Sequence, residues 1–406
     1  MKTIAYLMPS FPVLSETFVG NEIRAMQAQG HHIVPFAFER NEGIAQPIDL
    51  MLADQLQLLI EAPVAKTLWQ LSASPSRLQF AMQFVNQQQG LPKRSLLWYG
   101  ARLAALVEKH GCQHIHAHFG LASAATAIVA ARLAGVTVSF TCHGYDVYRA
   151  PADLPLKLRA ANFVVAVSDE MKRDMLAMAP QANIKRIRCG VDLAQFKSTV
   201  HNPFNQKRLL YLGRLSETKG VDRLLHALAN IPARDRPKLD IVGDGPLRLP
   251  LLKKMIALDL IGYVYFVGAK SSTWLCNNYQ RYTALVAPFI VTETGVRDTG
   301  PLVIKEAMAL HLPIITTNIE ACREMLCDAQ GQFIPVGAMV EFGNHFALSA
   351  AIRSLLNQSP QVLRAMGDTG HEHLLANFQI STQAAQLSQA IASCQQEVHH
   401  VANADY

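Results

Sequence analysis

The sequence predicts an α/β protein made of two doubly wound parallel sheets facing each other across a cleft. Three observations carry that expectation. Short apolar runs alternate with helical patterns along the first half of the chain and again along the second. Such alternation marks strand–helix–strand units whose parallel strands are buried on both faces. A polar stretch with one Pro and two Asn, Ser198 to Lys207, separates the two series and reads as a linker. The chain has 406 residues, 50% hydrophobic and 17% charged, enough for two cores of about 200 residues each.

The first series of strands is expected at Thr3 to Met8, His32 to Phe38, His114 to Ala117, Val136 to Thr141, Phe163 to Val167 and Ile187 to Arg188. The second is expected at Arg208 to Leu212, Lys238 to Val242, Val264 to Val267, Ala284 to Ala287 and Ile314 to Thr316. Residues 48–110 interrupt the first series. They are rich in Leu, Gln and Ala with few β-branched residues, and so read as a helical insertion. Within it Leu96, Tyr99, Leu103 and Leu106 share a face, with Lys93, Arg94, Arg102 and Lys109 beside them. That pattern suits a helix packed on its own domain or one lying on a membrane surface. The expected organisation is a domain over 1–200 carrying the insertion and a second domain over 201–380. A C-terminal helix and tail, 381–406, would be placed to cross back to the first domain.

Composition narrows the classes. No run of about 18 apolar residues appears, so a spanning helix is not expected. The start, MKTIAYLMPSFP, reads as a first strand and lacks the small-residue cleavage site of a secretory leader. Seven cysteines without paired spacing point to a reduced, cytoplasmic setting. The net charge of +6 is uneven, with nineteen Lys and Arg against fourteen acids through residue 200 and eighteen against seventeen afterward. The dense run Lys172, Arg173, Lys185, Arg186 and Arg188 would suit an anionic surface or a phosphorylated acceptor, or simply a solvated face. No interleaved aromatic and basic pattern suggests nucleic acid.

The stretch richest in chemistry is Leu285 to Thr317. An apolar run enters a loop of Thr, Gly and Asp, and a helix then opens at Gly300-Pro301. Pro suits a first helical position, and the free amides behind it, those of Leu302 and Val303, form an anion site. Asp298 before the helix and Glu306 inside it bracket that site with carboxylates, eight positions apart. Amides for charge and acids for hydroxyls suit a sugar attached to a diphosphate. Arg214 follows a strand and Lys219 comes five positions later, a pair able to neutralise a departing diphosphate. His114, His116 and His118 alternate along one strand and point to one face. With no carboxylate or Cys at matching spacing, no metal is expected there, and His118 at the strand's end is expected to face an acceptor. Ser15 is the expected N-cap of the first helix, with Glu16 and Thr17 following it.

Nine segments then line up in order. The first half holds SETFVGNEIRAMQAQGH (Ser15 to His31), HAHFG (His116 to Gly120), FTCHGYDVY (Phe140 to Tyr148), VSDEMK (Val167 to Lys172) and CGVDLAQF (Cys189 to Phe196). The second holds YLGRLSETKG (Tyr211 to Gly220), IVGDGPL (Ile241 to Leu247), YFVGAK (Tyr265 to Lys270) and DTGPLVIKEAMALHLPIITT (Asp298 to Thr317). This set resembles glycosyltransferase family 4, the retaining GT-B enzymes, and most of all its colanic-acid and exopolysaccharide branch. Residues of about 45–110 lie outside the resemblance.

The resemblance implies roles. Arg214 and Lys219 would neutralise the leaving nucleoside diphosphate without a bound metal. Glu306 matches the second acid of the family's E-x7-E motif, which binds the ribose hydroxyls. Asp298 stands where the family has the first Glu, facing the donor sugar, one methylene short; Glu293 is a rival five residues too early. Thr299, Gly300 and Pro301 depart from the usual Gly-aromatic-Gly pattern, which shifts anion contacts to Leu302 and Val303. His143 would hydrogen-bond the donor sugar or order the reacting centre, making Asp298, Glu306 and His143 the expected catalytic set. Main chain near Gly268 to Lys270 would read the base. Ser15, Glu16 and Thr17 replace a loop that in many relatives carries two glycines near the donor phosphates.

The expected function is retaining transfer from a nucleotide-diphosphate sugar to a growing glycan or lipid-linked acceptor in polysaccharide biosynthesis. No cofactor or metal is expected, the nucleotide sugar being a co-substrate, and the family's same-face route needs no general base. Closure about the linker would exclude water. The expected location is cytoplasmic, with peripheral contact on the inner membrane face. Other readings are a GT-B sugar-nucleotide epimerase, an inverting transferase with a base near His118, or a non-catalytic nucleotide-sugar binder.

Overall fold

The computed structural model describes residues 1–196 and 202–404. Two compact units form, one from Met1–Arg188 with Ile380–Tyr406, the other from Cys189–Gln379. The linker expected at 198–207 begins outside the described residues. Its later part includes Asn202, which is buried and donates to the Tyr282 carbonyl at 2.8 Å.

The first unit holds seven strands: β1 Thr3–Phe11, β2 His32–Arg40, β3 Gln57–Leu58, β4 His114–His118, β5 Thr137–Thr141, β6 Phe163–Ala166 and β7 Ile184–Arg186. They pair in the order β3-β2-β1-β4-β5-β6-β7, parallel throughout. Its helices are α1 Thr17–Ala28, α2 Pro47–Ala53, α3 Val64–Ser72, α4 Pro75–Gln87, α5 Lys93–Lys109, α6 Ala122–Ala134, α7 Leu154–Ala160 and α8 Asp169–Met178. Strands such as β6 read as unbroken apolar runs because helices cover both faces; β4 and β5 are as buried but alternate polar side chains with apolar ones. A helix from the far end of the chain, Ile380–Ala404, joins this unit. Its Ala384, Leu387 and Ile391 pack with Ile4, Tyr6, Ile23 and Met26.

The second unit holds β8 Arg208–Leu212, β9 Lys238–Val242, β10 Val264–Gly268, β11 Ala284–Ala287, β12 Ile314–Thr317 and β13 Gly337–Val340. The order is β10-β9-β8-β11-β12-β13, again parallel. The strand order reverses at β8, so the carboxyl ends of β8 and β11 flank the point where ligands bind in such sheets.

Several expectations need correction. The strand expected at Ile187 to Arg188 lies three residues earlier, because Ile184 is the residue that pairs with Val164 of β6. Two strands were illegible: β3 is two residues long, and β13 is only half-buried. Residues from Cys189 belong to the second unit, since Val191 and Phe196 sit in its core. Of the two readings of α5, its apolar face takes packing on its own domain: Leu96, Leu103 and Leu106 are at most 4% exposed, while Lys93, Arg94 and Lys109 at its ends stay exposed. Its Tyr99 packs edge-on against Phe38, and Arg102 is spent on the carbonyls of Leu59 and Ile60.

Candidate active site

In the second unit, two loops meet beyond the ends of β8 and β11. The loop after β8 runs through Arg214 to a short turn, Glu217–Lys219, and into a helix that starts at Val221. Gly220 makes the transition with φ of 65°, and a Cβ there would lie 1.8 Å from the Pro288 carbonyl. No other residue fits so close an approach. The Ile290 amide donates to the Thr218 carbonyl at 3.0 Å, stitching the loop after β11 to the loop after β8.

That stitch brings charges together across 79 positions of sequence. Lys219 Nζ donates to Asp298 Oδ1 at 3.0 Å, with both side chains about one-fifth exposed (20% and 17%). Lys219 also lies 5.1 Å from the centre of the Phe289 ring, whose apolar face limits its hydration. Glu293, the rival acid, stays exposed in a turn closed between Thr292 and Val296. Geometry therefore joins Asp298, not Glu293, to the cation. Arg214 is exposed and, among the described residues, its guanidinium has no ion pair.

The helix opening at Asp298's side, α9 (Leu302–Ala309), uses Pro301 as its N-cap and no side chain caps it. Pro301 thus stands one place outside the first helical position, and the first-turn amides of Leu302 and Val303 are left for another acceptor. One turn on, Lys305 turns inward and donates to the Cys189 carbonyl at 2.6 Å, which anchors the helix. Glu306 keeps some exposure, yet the protein crowds its carboxyl. Burial pushes its pKa up to about 7, against the pull of Lys219.

Gly268 ends β10 with φ of 80°, and its carbonyl accepts the Gly243 amide at 3.0 Å. Gly243 itself, which the sequence reading quoted but did not place in the site, lets the loops after β8 and β9 touch. A Cβ on it would lie 1.9 Å from the Gly213 carbonyl.

The first unit gathers a second polar centre. Register places His114, His116 and His118 opposite Thr137, Ser139 and Thr141. His114 bridges the Thr137 and Ser139 hydroxyls at 2.7 Å each, and His116 bridges Ser139 and Thr141 at 2.7 and 3.0 Å. His118 breaks the ladder. Its Nδ1 lies 3.4 Å from His143 Nε2, and its Nε2 is 3.4 Å from Glu22 Oε1. His116 Nε2 is also 3.4 Å from that oxygen.

Glu22 comes from α1 and was missed by the sequence reading, as were the groups that hold it. Tyr6 donates to Oε1 at 3.1 Å and Gln383 to Oε2 at 2.7 Å. Burial pushes the Glu22 carboxyl upward, but His118 and then His116 outweigh it and hold it well below the usual carboxylate range. Burial, with His118 next in weight, holds His143 well below the usual imidazole range, so it is neutral at pH 7. Glu22, His116 and His118 place ligand atoms within 4.8 Å of one another, a carboxylate and two imidazoles that could hold a metal ion. The sequence expectation saw no such carboxylate. Both His116 nitrogens are nevertheless engaged by hydroxyls, so hydrogen bonds account for that ligand.

The expected acceptor residues are placed differently from one another. The His118 ring is only 1% exposed and faces inward, whereas His143 is partly exposed, under the ring of Phe18 at 4.3 Å. Ser15 is exposed and does not cap α1; the N-cap is Glu16, with no side-chain cap bond, and Thr17 opens the helix. A further residue was missed here. Asp146 is fully buried and accepts the backbone amides of Gly120 and, at 2.7 Å, His143. It ties the exit of β4 to the exit of β5, and burial raises its pKa to about 6.

Comparison with known proteins agrees with both halves. Residues 15–195 match the family described as Glycosyltransferase Family 4, and residues 195–373 match Glycosyl transferases group 1. WcaL of Escherichia coli K12, a glycosyltransferase named for colanic acid biosynthesis, is 24% identical over 358 residues, covering 82% of this chain and 86% of that protein. TuaC of Bacillus subtilis, a glycosyltransferase named for teichuronic acid biosynthesis, is 27% identical over 223 residues. That match spans 50% of this chain and 53% of TuaC, about half of each. Among solved structures, HepE of Anabaena in complex with UDP-glucose gives a TM-score of 0.72 at 15% identity, covering 97% of this chain and 100% of that one. Sucrose-phosphate synthase of Thermosynechococcus elongatus gives 0.71 at 20% identity, covering 98% and 100%. At such identities these two likenesses speak for the fold, two Rossmann-like units of the GT-B type. The chain belongs to the glycosyltransferases, with a family 4 unit followed by a group 1 unit.

Proposed function

We propose that this glycosyltransferase moves a sugar, with retention, from a nucleotide-diphosphate sugar to a glycan or lipid-linked acceptor in polysaccharide biosynthesis. The observation that carries the reading is the Lys219–Asp298 pair beside an uncapped helix start. Lys219 has three donor hydrogens and gives one to Asp298, which leaves two aimed by that contact for a diphosphate oxygen. Arg214 and the amides of Leu302 and Val303 supply further donors. Together they stabilise charge that grows on the diphosphate as its bond to the anomeric carbon breaks. The acceptor oxygen bonds to the same face of that carbon, and its proton passes to the departing phosphate oxygen. These side chains and amides need no metal to do this. Glu306 takes the ribose hydroxyls, Asp298 the sugar, and main chain at Gly268 the base.

The acceptor class is supported by the names of WcaL and TuaC, and a UDP-sugar donor by the complex of HepE. A cytoplasmic setting is supported by seven cysteines, all free thiols. No helix among the described residues is long and apolar enough to cross a membrane. Peripheral contact belongs to this reading through some face other than α5. The deciding experiment is release of nucleoside diphosphate from candidate sugar donors, with acceptor and in EDTA, followed by NMR of the new linkage. Metal-free turnover with the donor's anomeric configuration kept is expected; inversion, or activity abolished by EDTA, would overturn the reading.

A further inference from the structure

Helix α3 is turned inside out. On α3 the buried residues are Thr67 and Gln70, whereas Val64, Leu68 and Trp69 are 54%, 53% and 56% exposed. The polar side is the docked side: Gln70 donates to Glu108 of α5, while the buried Thr67 donates back to the Pro63 carbonyl at the start of its own helix at 3.0 Å. A helix of a soluble domain ordinarily does the reverse. The shorter α2 buries Leu52 and Ala53 in the usual way, with Asp49 held by Arg24 at 2.5 Å, and leaves Leu50 and Met51 53% and 75% exposed. Nine of the nineteen exposed large hydrophobic side chains among the described residues fall within positions 44–80. Exposed apolar residues are therefore concentrated in this part of the chain, and on α3 Val64, Leu68 and Trp69 share one helix, where a contiguous apolar face marks a contact site as scattered single residues do not.

The charges around the face say what it contacts. Residues 60–100 carry Lys66, Arg77, Lys93 and Arg94 against the single acid Glu61. Lys66 stands on α3 between Val64 and Leu68, and Lys93 and Arg94 are exposed at the start of α5, which packs on α3. An apolar face with a Trp, rimmed by cations, matches a bilayer boundary. There the indole sits among headgroups, Leu and Val enter the acyl layer, and Lys stems reach back to phosphate. A second copy of the chain fits less well, because a two-fold contact across this face would bring Lys66 toward its own copy.

We propose that the outward face of α3 docks this enzyme on an anionic lipid bilayer without spanning it. The proposal rests on the peripheral contact in the proposed function and names its surface; it involves none of the residues assigned to the transfer. Co-sedimentation of the full chain with vesicles tests it. Binding is expected to vesicles of phosphatidylcholine mixed with phosphatidylglycerol, to weaken with salt, and to be much less with phosphatidylcholine alone. Leu68→Ser with Trp69→Ser should lower the anionic-vesicle affinity about tenfold or more, since each loses a half-buriable apolar side chain. Lys66→Glu should lower it several-fold. All variants should keep the wild-type melting temperature and acceptor-free donor hydrolysis. Three results would overturn the proposal: no binding to anionic vesicles, binding undiminished in the Leu68/Trp69 double variant, or a solution dimer that the same double variant dissolves.

Discussion

Two crowded carboxylates, one in each unit, meet opposite fates. Glu22 accepts from Tyr6 and Gln383, faces His116 and His118, and is held well below the usual carboxylate range. Glu306 is pushed up to about 7, and Lys219 only partly offsets the burial. Among the described residues its carboxyl has no hydrogen-bond donor. The difference separates a carboxylate whose two oxygens the protein itself supplies with donors, although among the described residues His118 Nε2 beside it has no hydrogen-bond partner, from a carboxyl the protein leaves without one. A satisfied buried network rigidifies the fold, whereas one with open groups has binding capacity left in it.

The largest expected effect breaks the Glu22 centre. Glu22→Ala removes the group that four side chains face, and it strands buried donors. Loss of one partner from a buried ionic network costs about 3–5 kcal/mol. Urea unfolding of the first unit should show a loss of that order, with Glu22→Gln retaining part of the stability through its remaining carbonyl. A change under about 1 kcal/mol in Glu22→Ala would mean that the histidines are satisfied without it.

Next comes the open centre. Lys219→Ala removes a charge-assisted contact worth roughly 1.5–3 kcal/mol to a bound anion, so kcat/KM should fall about tenfold to a hundredfold or more. Arg214→Ala should act in the same direction. The fold should survive both, since Arg214 is exposed and Lys219 contacts only the rim of its unit's core. Wild-type kinetics in both variants would remove the phosphate role. The contrast with Glu22 is the point: stability should move in one unit and turnover in the other.

How legible this was from sequence differed between the two centres. All five second-unit strands expected from apolar runs, those at 208, 238, 264, 284 and 314, begin where they were expected, because a parallel strand buried on both faces has little choice but to be apolar. Asp298 and Glu306 were readable because a loop and the helix after it are adjacent in sequence. Their tie to Lys219 depends on a 79-residue return of the chain, which no local pattern encodes. The first unit hid more. Glu22 lies on α1, ninety-odd positions from the histidines it faces, and looked like any helical Glu. Gln383 arrives from the far end of the chain. The outward apolar face of α3 defeated periodicity in another way: a stripe of Val64, Leu68 and Trp69 ordinarily predicts the buried side.

A pH profile sharpens the comparison further. The folded pKa of Glu306, about 7, is above the usual carboxylate value. Between the two, the folded state binds more protons than the unfolded one, so stability is greatest at low pH and declines as pH rises through about 7. Donor affinity should run the other way, since the ionised carboxylate accepts ribose hydroxyls better. Nucleoside diphosphate binding by calorimetry should therefore strengthen from pH 6 to 8 with a midpoint near 7. Glu306→Gln should flatten that component and weaken binding at pH 8. A wild-type profile unchanged in Glu306→Gln would assign the midpoint to another group, with the phosphate itself the first suspect.

The smallest effect, and the most discriminating, concerns Asp298. Its carboxylate is bonded to Lys219 at 3.0 Å, so it both aims the ammonium and subtracts from the positive charge a diphosphate meets. Asp298→Asn keeps an acceptor oxygen for aiming and deletes the negative charge. Free nucleoside diphosphate should then bind about as well as before or a few-fold tighter, while transfer slows because the sugar loses its charged acceptor. Asp298→Glu asks whether the loop has adapted to the shorter acid. If it has, the added methylene pushes the carboxylate toward the sugar and away from Lys219, and both binding and transfer fall. If the Asp is only a weaker substitute for the family's Glu, transfer holds or rises. The observed 3.0 Å contact favours adaptation, since a Glu at this position would have to fold back to keep it. Diphosphate affinity and transfer rate measured on the two variants decide the matter. Equal loss of diphosphate binding in Asp298→Asn and Glu306→Gln would end the division of labour between sugar and ribose.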